Sequence, residues 1–314
     1  MGAIKLWPLC ATLLLAGGAA EAADPESCQT VRFSDVGWTD ITSTTAATSV
    51  VLEGLGYQPE TEILAVPVTY ASLENQDIDV FLGNWMPTME ADVRPYLEKG
   101  TVESIGVNLE GAKYTLAVPA YLAEQGLKDF ADIAEFREQL DGQIYGIEPG
   151  NDGNRLILEM IENNAFGLEG FELVESSEQG MLAQVARATR GEDPIVFLGW
   201  EPHPMNANFE LTYLAGGDEV FGPDYGGATV YTNVRAGYLD ECPNVGRLLQ
   251  NLAFTLEMEN QIMSAILDEG QDPEAAASGW LQENPQVLDG WLDGVSTFEG
   301  EPGLPAVKEH LGIS

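Results

Sequence analysis

Three tryptophans and one tyrosine stand where short apolar runs meet turns. Trp38 and Asp40 follow the run that ends in Ser34-Asp35-Val36-Gly37. Trp85 follows Val80-Phe81-Leu82-Gly83-Asn84, Trp200 follows Val196-Phe197-Leu198-Gly199, and Tyr114 opens a further apolar run. A lone tryptophan more often serves packing than binding. Several at equivalent strand ends point to a ligand that aromatic faces attract. A quaternary ammonium fits that description, because its charge is spread over methyl groups that donate no classical hydrogen bonds. Each desolvated ring contributes roughly 2 kcal/mol through its quadrupole. A carboxylate such as Asp40 would neutralise the charge. Three or four rings and one carboxylate, less the cost of association, give about −8 kcal/mol, or micromolar affinity.

Two of these sites echo each other. Val80-Phe81-Leu82-Gly83-Asn84-Trp85-Met86-Pro87 recurs as Val196-Phe197-Leu198-Gly199-Trp200-Glu201-Pro202, with one Asn missing from the second copy. A separation of 115 residues suits two similar lobes better than a short-period solenoid. The loop Glu148-Pro149-Gly150-Asn151-Asp152-Gly153-Asn154 precedes a helical stretch. Asn151 or Asp152 would cap that helix. The Asn151 amide would equally hold a ligand hydroxyl, and free backbone amides at the helix start would suit a carboxylate.

Catalytic signatures are missing. His203 lies between Pro202 and Pro204, and His310 lies near the C-terminus. The chain carries no Gly-x-Ser-x-Gly elbow, His-Glu-x-x-His, P-loop or Gly-x-Gly-x-x-Gly. A non-enzyme without cofactor or metal is expected. A secreted hydrolase with a carboxylate pair is the distant alternative, since acidic residues are abundant and none is singled out.

The elements that would hold these side chains alternate between strand and helix. Strands are expected at 30–36, 61–68, 79–82, 114–118, 143–147 and 194–198. Helices are expected at 44–55, 70–76, 127–136, 154–163, 180–190, 246–268 and 273–284. This alternation predicts an α/β fold with a largely parallel sheet, and ligands in such folds sit beyond the carboxyl ends of strands. Residues 294–314 read as a polar tail.

The 314 residues fit two domains, and 45% hydrophobic content supports a core. Thirteen Lys and Arg against 51 Asp and Glu give a net charge of −38, which disfavours nucleic acid and anionic membranes. Lys5, the apolar run Leu6 to Ala20 and the small-x-small triplet Ala20-Glu21-Ala22 read as a secretory signal over 1–22, cleaved near Ala22. Cys10 leaves with it. Cys28 and Cys242 remain, and a cysteine pair in an exported chain predicts a disulfide. Closing so long a loop stabilises by roughly 5 kcal/mol at most in the chain-entropy view.

Gly37-Trp38-Thr39-Asp40, Gly83-Asn84-Trp85-Met86-Pro87, Lys113-Tyr114, Glu148-Pro149-Gly150-Asn151-Asp152-Gly153 and Gly199-Trp200-Glu201-Pro202 together resemble the quaternary-amine (glycine betaine/choline) ABC transporter substrate-binding family. The resemblance runs in order over nearly all of the mature chain. It implies a two-lobed periplasmic binding protein fold of type II with two hinge crossings, near Gly111 to Leu116 and Tyr225 to Arg235. Lobe I would comprise 23–113 and, with the tail, 229–314; lobe II would comprise 114–228. Both cysteines then fall in lobe I. By the same resemblance, Trp38, Trp85, Tyr114 and Trp200 would box the trimethylammonium, Asp40 would lie beside the cation and Asn151 would bind a hydroxyl. The implied ligand is choline, with glycine betaine or another quaternary amine as the alternative. The implied partners are an ABC permease and its ATPase, served by a periplasmic monomer.

Overall fold

The computed structural model describes residues 24–313. The secretory signal expected over 1–22 lies outside the described residues. Among the described residues nine strands form one continuous sheet: β1 (Thr30–Asp35), β2 (Gln58–Ile63), β3 (Val80–Met86), β4 (Val102–Pro119), β5 (Gln143–Tyr145), β6 (Glu172–Val174), β7 (Phe197–Glu201), β8 (Leu211–Tyr213) and β9 (Gly227–Arg235). Their order is β2-β1-β3-β9-β4-β7-β5-β6, with β8 also on β4. Parallel pairing holds at both flanks, β1 with β2 and β3, and β5 with β6 and β7. These are the βα units that the alternating sequence implied. In the middle, β4 and β9 make every pairing antiparallel.

Strand β4 joins the two lobes. From Val102 to Lys113 it pairs with β9, and from Lys113 to Ala117 with β7. Lys113 marks the exchange, opposite Gly227 on one side and Glu201 on the other. Its ammonium also pairs with the Glu201 carboxylate at 3.1 Å. The sequence reading began this strand only at Tyr114. The earlier half, Val-Glu-Ser-Ile-Gly-Val-Asn-Leu-Glu-Gly, is polar and irregular, and its register shifts three times against β9. Such a segment lacks the clean alternation that reveals a strand.

The helix Thr39–Gly54 runs through the interior of the first lobe and is buried along most of its length. It is rich in Ser and Thr, which ordinarily compete with helical hydrogen bonding. Here they bond back to their own helix: Ser43 Oγ to Asp40 O at 2.7 Å and Thr48 Oγ1 to Thr44 O at 2.8 Å. The expected start at Thr44 came five residues late. Thr39 and Asp40 are helical because the Thr39 amide finds its acceptor in the Glu178 carboxylate, 139 residues along the chain.

Three further expectations needed adjustment. The run around 61–68 divides into β2 and the helix Val66–Asn75, which has Pro67 in its first turn. The helical region 246–268 is two helices, Pro243–Asn251 and Leu256–Leu267, the second capped by the Thr255 hydroxyl on the Met258 amide. The polar tail is docked structure. Its helix Gly303–His310 lies against Thr39–Gly54, so close that a side chain at Gly54 would meet Val307. Phe298 packs edge-on against Tyr57 at 5.4 Å.

Cys28 and Cys242 are disulfide-bonded with Cα atoms 5.7 Å apart. Asp24 reinforces this junction by accepting from the amides of Asn244 (2.8 Å) and Val245 (3.1 Å) at the start of the helix Pro243–Asn251. The sulfurs bond each other beside Glu241, so this acidic and cysteine group is not a metal site. Among the described residues no helix is long and apolar enough to cross a membrane.

Candidate functional site

The echoed motifs place their tryptophans alike. Trp85 and Trp200 are the penultimate residues of β3 and β7, inside the strands rather than just beyond them. Each strand is followed by a cis X-Pro bond, Met86–Pro87 and Glu201–Pro202. Tyr114 sits on β4 directly opposite Trp200, with ring centroids 6.3 Å apart and planes at 79°. Trp85 meets the other side of Tyr114 at 6.1 Å and 63°. Three rings therefore stand edge to face around the point where β4 exchanges partners, the arrangement that aromatic quadrupoles favour.

The fourth ring comes from the turn before the long buried helix. Trp38 is its N-cap residue, and the indole Nε1 donates to Glu148 Oε1 at 2.7 Å, across to the loop of the other lobe. Burial pushes the Glu148 carboxyl up to about 7, against the lowering effect of that hydrogen bond.

Asp40 occupies the second helical position, where the helix dipole favours a negative charge. It is only 1% exposed. Oδ2 accepts from Trp85 Nε1 at 3.2 Å, and Oδ1 has no partner. Burial, then the nearby Glu178 charge, holds its carboxyl well above the usual range. A buried carboxylate oxygen without a donor is costly in isolation. A positive charge in the adjoining space would remove that cost.

Asn151 caps the helix Asp152–Glu162 by accepting from the Asn154 amide at 3.0 Å. The same Oδ1 accepts from the Tyr114 hydroxyl at 2.9 Å, and Nδ2 donates to Asp152 Oδ1 at 3.1 Å. The side chain is thus both a cap and a cavity wall, and one Nδ2 hydrogen remains free. The approach of this turn to β4 requires glycine at 153, because a Cβ there would run into the Tyr114 hydroxyl. Burial raises the Tyr114 hydroxyl well above its usual range.

Trp38, Asp40, Trp85, Tyr114, Asn151 and Trp200, the six residues singled out in the sequence, line one cavity together with Ile147 and Asp152. The space between them is about 260 Å³. Ile147 was missed, having no feature beyond its apolar type. Asp152 was read only as a cap; its Oδ2 is buried without a partner, and burial lifts its carboxyl to about 6. Among the described residues no Lys or Arg lines the cavity. Arg155, the nearest cation in sequence, turns instead to Asp92 (2.9 Å) and the Thr88 carbonyl (2.9 Å).

Two α/β lobes joined through crossing strands, with an enclosed site at the crossing, define the class of two-lobed substrate-binding proteins. Residues 29–283 match the substrate binding domain of ABC-type glycine betaine transport systems, and the chain belongs to that family. It is 68% identical to an ABC-transporter choline binding protein solved in complex with choline, with a TM-score of 0.91 over 92% of this chain and 100% of the other. An ABC-transporter choline binding protein in an unliganded, semi-closed conformation superposes with a TM-score of 0.85 at the same identity and coverage. A glycine betaine/carnitine transport binding protein from Listeria monocytogenes is 30% identical over 164 residues, covering 52% of this chain and 53% of its own length.

Proposed function

We propose that this chain captures choline outside the cytoplasm and delivers it, as a monomer, to an ABC permease driven by its ATPase. One observation carries the reading. The cavity combines four aromatic rings with the Asp40 carboxylate, whose Oδ1 accepts no hydrogen bond, and among the described residues no cationic side chain lines it. Rings and a carboxylate attract a methylated ammonium, and the small volume leaves room for little else. The similarity to a choline-binding protein at 68% identity supports the same ligand.

Trp38, Trp85, Tyr114 and Trp200 form the box in this reading, and Asp40 faces the cation. Asn151 Nδ2 donates to the hydroxyl oxygen, and Asp152 Oδ2 accepts the hydroxyl proton. Glycine betaine fits less well. Its carboxylate would face Asp152 with no Arg or Lys among the described lining residues to receive it, and the Asn154 amide at the helix start is already served by Asn151.

The lobes divide at the β4 exchange point and at β9. Residues 23–113 and 229–314 form one lobe and 114–228 the other. The box then draws Trp38, Asp40 and Trp85 from lobe I and Tyr114, Asn151 and Trp200 from lobe II. A ligand that touches both lobes stabilises the closed form by its differential affinity for it.

Calorimetric titration of the mature protein with choline and, separately, glycine betaine, at two salt concentrations, tests this. Micromolar or tighter choline binding with much weaker betaine binding is expected. The reverse order would move Asn151 and its loop to carboxylate recognition, and binding of neither would return the four rings to the core.

A further inference from the structure

Glu178 opens the helix Glu178–Gly191 in the second lobe, yet its carboxylate is spent on the first. Oε2 accepts from the Thr39 amide at 2.7 Å and Oε1 from the Thr39 hydroxyl at 2.6 Å. His203 Nε2 lies 3.1 Å from Oε1. The Met205 amide donates to His203 Nδ1 at 2.9 Å, which leaves Nε2 as the ring nitrogen that donates to Glu178. Glu178, Thr39 and His203 are each 3% exposed or less.

Position gives this cluster its meaning. Thr39 stands between two cavity residues, Trp38 and Asp40. The His203 ring braces Trp200 from behind, edge to face at 4.8 Å and 71°. One carboxylate therefore holds the turn that carries two walls of the cavity in one lobe and backs a third wall in the other. None of the three residues lines the cavity. Trp38 Nε1 to Glu148 Oε1 also crosses the cleft, from a residue that itself lines the cavity, whereas Arg155 to Asp92 and Asn208 to Asp268 cross it between more exposed groups and are weakened by solvent.

We infer that Glu178 is an interlobe latch: a positioning residue that touches no ligand but sets how long the closed cleft retains it. The inference rests on the two-lobed capture reading above. When the lobes part, water takes over the hydrogen bonds of the carboxylate and of the Thr39 amide. When they meet, a charged acceptor receives two short, desolvated donors, and bonds of this kind count most. The latch acts after encounter, so it belongs to the release rate rather than the arrival rate.

The test is stopped-flow tryptophan fluorescence of the full mature chain with choline as probe. Thr39→Val removes one donor and changes no charge, whereas Thr39→Ser keeps the hydroxyl. Thr39→Val should release choline about tenfold faster or more, with the association rate within about twofold of wild type. Thr39→Ser should restore the wild-type release rate. Glu178→Gln, which retains the shape but not the charge, should also release faster, and it replaces Thr39→Val should that variant fold poorly. A purely structural role would lower the ligand-free melting temperature and leave release per folded molecule unchanged. Wild-type protein that binds no choline sinks the functional reading. Wild-type protein that binds choline, with Thr39→Val and Glu178→Gln releasing it at the wild-type rate, sinks the latch.

Discussion

Tyr114 lies directly opposite Trp200 across the β4–β7 pair, one residue past Lys113, where β4 leaves β9 for β7. The strand that links the lobes therefore also supplies a wall of the cavity. Its ring is fixed on three sides: by Trp85, by Trp200, and by Phe221 at 6.0 Å and 90°. The hydroxyl is tied to Asn151. In the proposed closure, movement of one lobe against the other reshapes this cluster and so couples the occupancy of the cavity to the hinge.

Trp85→Ala and Trp200→Ala should each weaken choline binding by about 30-fold, the equivalent of roughly 2 kcal/mol for one desolvated ring over a cation. The ligand-free melting temperature should change by only a few degrees, because both rings face a cleft rather than the centre of a lobe. Calorimetry and thermal unfolding on the same samples check this. A steep fall in melting temperature with unchanged affinity per folded molecule would assign both rings to packing.

Asp40→Asn separates charge from shape. The carboxylate has one bond, to Trp85, and one partnerless oxygen in a buried setting. Replacing it should leave the ligand-free protein as stable as wild type or more so, since the buried side chain no longer has to either carry an uncompensated charge or hold a proton. Choline affinity should drop by at least tenfold. Thermal unfolding with and without choline gives both signs in one experiment. Loss of stability in the ligand-free variant would mean that Asp40 serves the fold.

These predictions draw on residues that the sequence displayed openly. A strand, a glycine, a tryptophan and a proline in close succession form a local pattern, and the likeness between 80–87 and 196–202 multiplied its weight. The turn at 148–154 was equally local. Glu178 could not be found that way. Its partner Thr39 is 139 residues distant, and an acidic residue at the start of a helix is ordinary among 51 Asp and Glu. The first half of β4 was hidden for a different reason, since a polar, bulged strand between lobes carries no strict alternation. The tail was misjudged because Val307 and Leu311, the residues that bury it, are sparse among polar neighbours.

Reduction tests the covalent junction. The disulfide closes a loop of sequence separation 214, is buried, and contributes no residue to the cavity lining. Reducing agent, or Cys242→Ser, should lower the melting temperature on the order of 5–10 °C, the scale expected for a few kcal/mol in a chain of this size. Choline affinity should stay within about twofold, because Asp24 still anchors the start of the helix Pro243–Asn251. An unchanged melting curve would show that the junction is held by its non-covalent contacts alone.

The pH dependence of binding and that of stability should run in opposite directions. Burial raises the Glu148 carboxyl to about 7 and the Asp152 carboxyl to about 6, and it raises Asp40 as well. Their unfolded values lie near 4. Between those limits the ligand-free folded chain holds protons that the unfolded chain has released, so stability falls as pH rises from about 5 towards 8. Choline acts against this. Its positive charge favours the ionised form of the two lining carboxyls, Asp40 and Asp152, so binding releases protons and affinity rises with pH. Titration at pH 6 in two buffers of different ionisation enthalpy should reveal proton release on binding. Melting temperatures should show the stabilisation by choline growing from pH 5 to pH 8. Proton uptake on binding, or an affinity that falls as pH rises, would mean that the cavity carboxyls do not face the cation, and Asp40 would lose its place in the box.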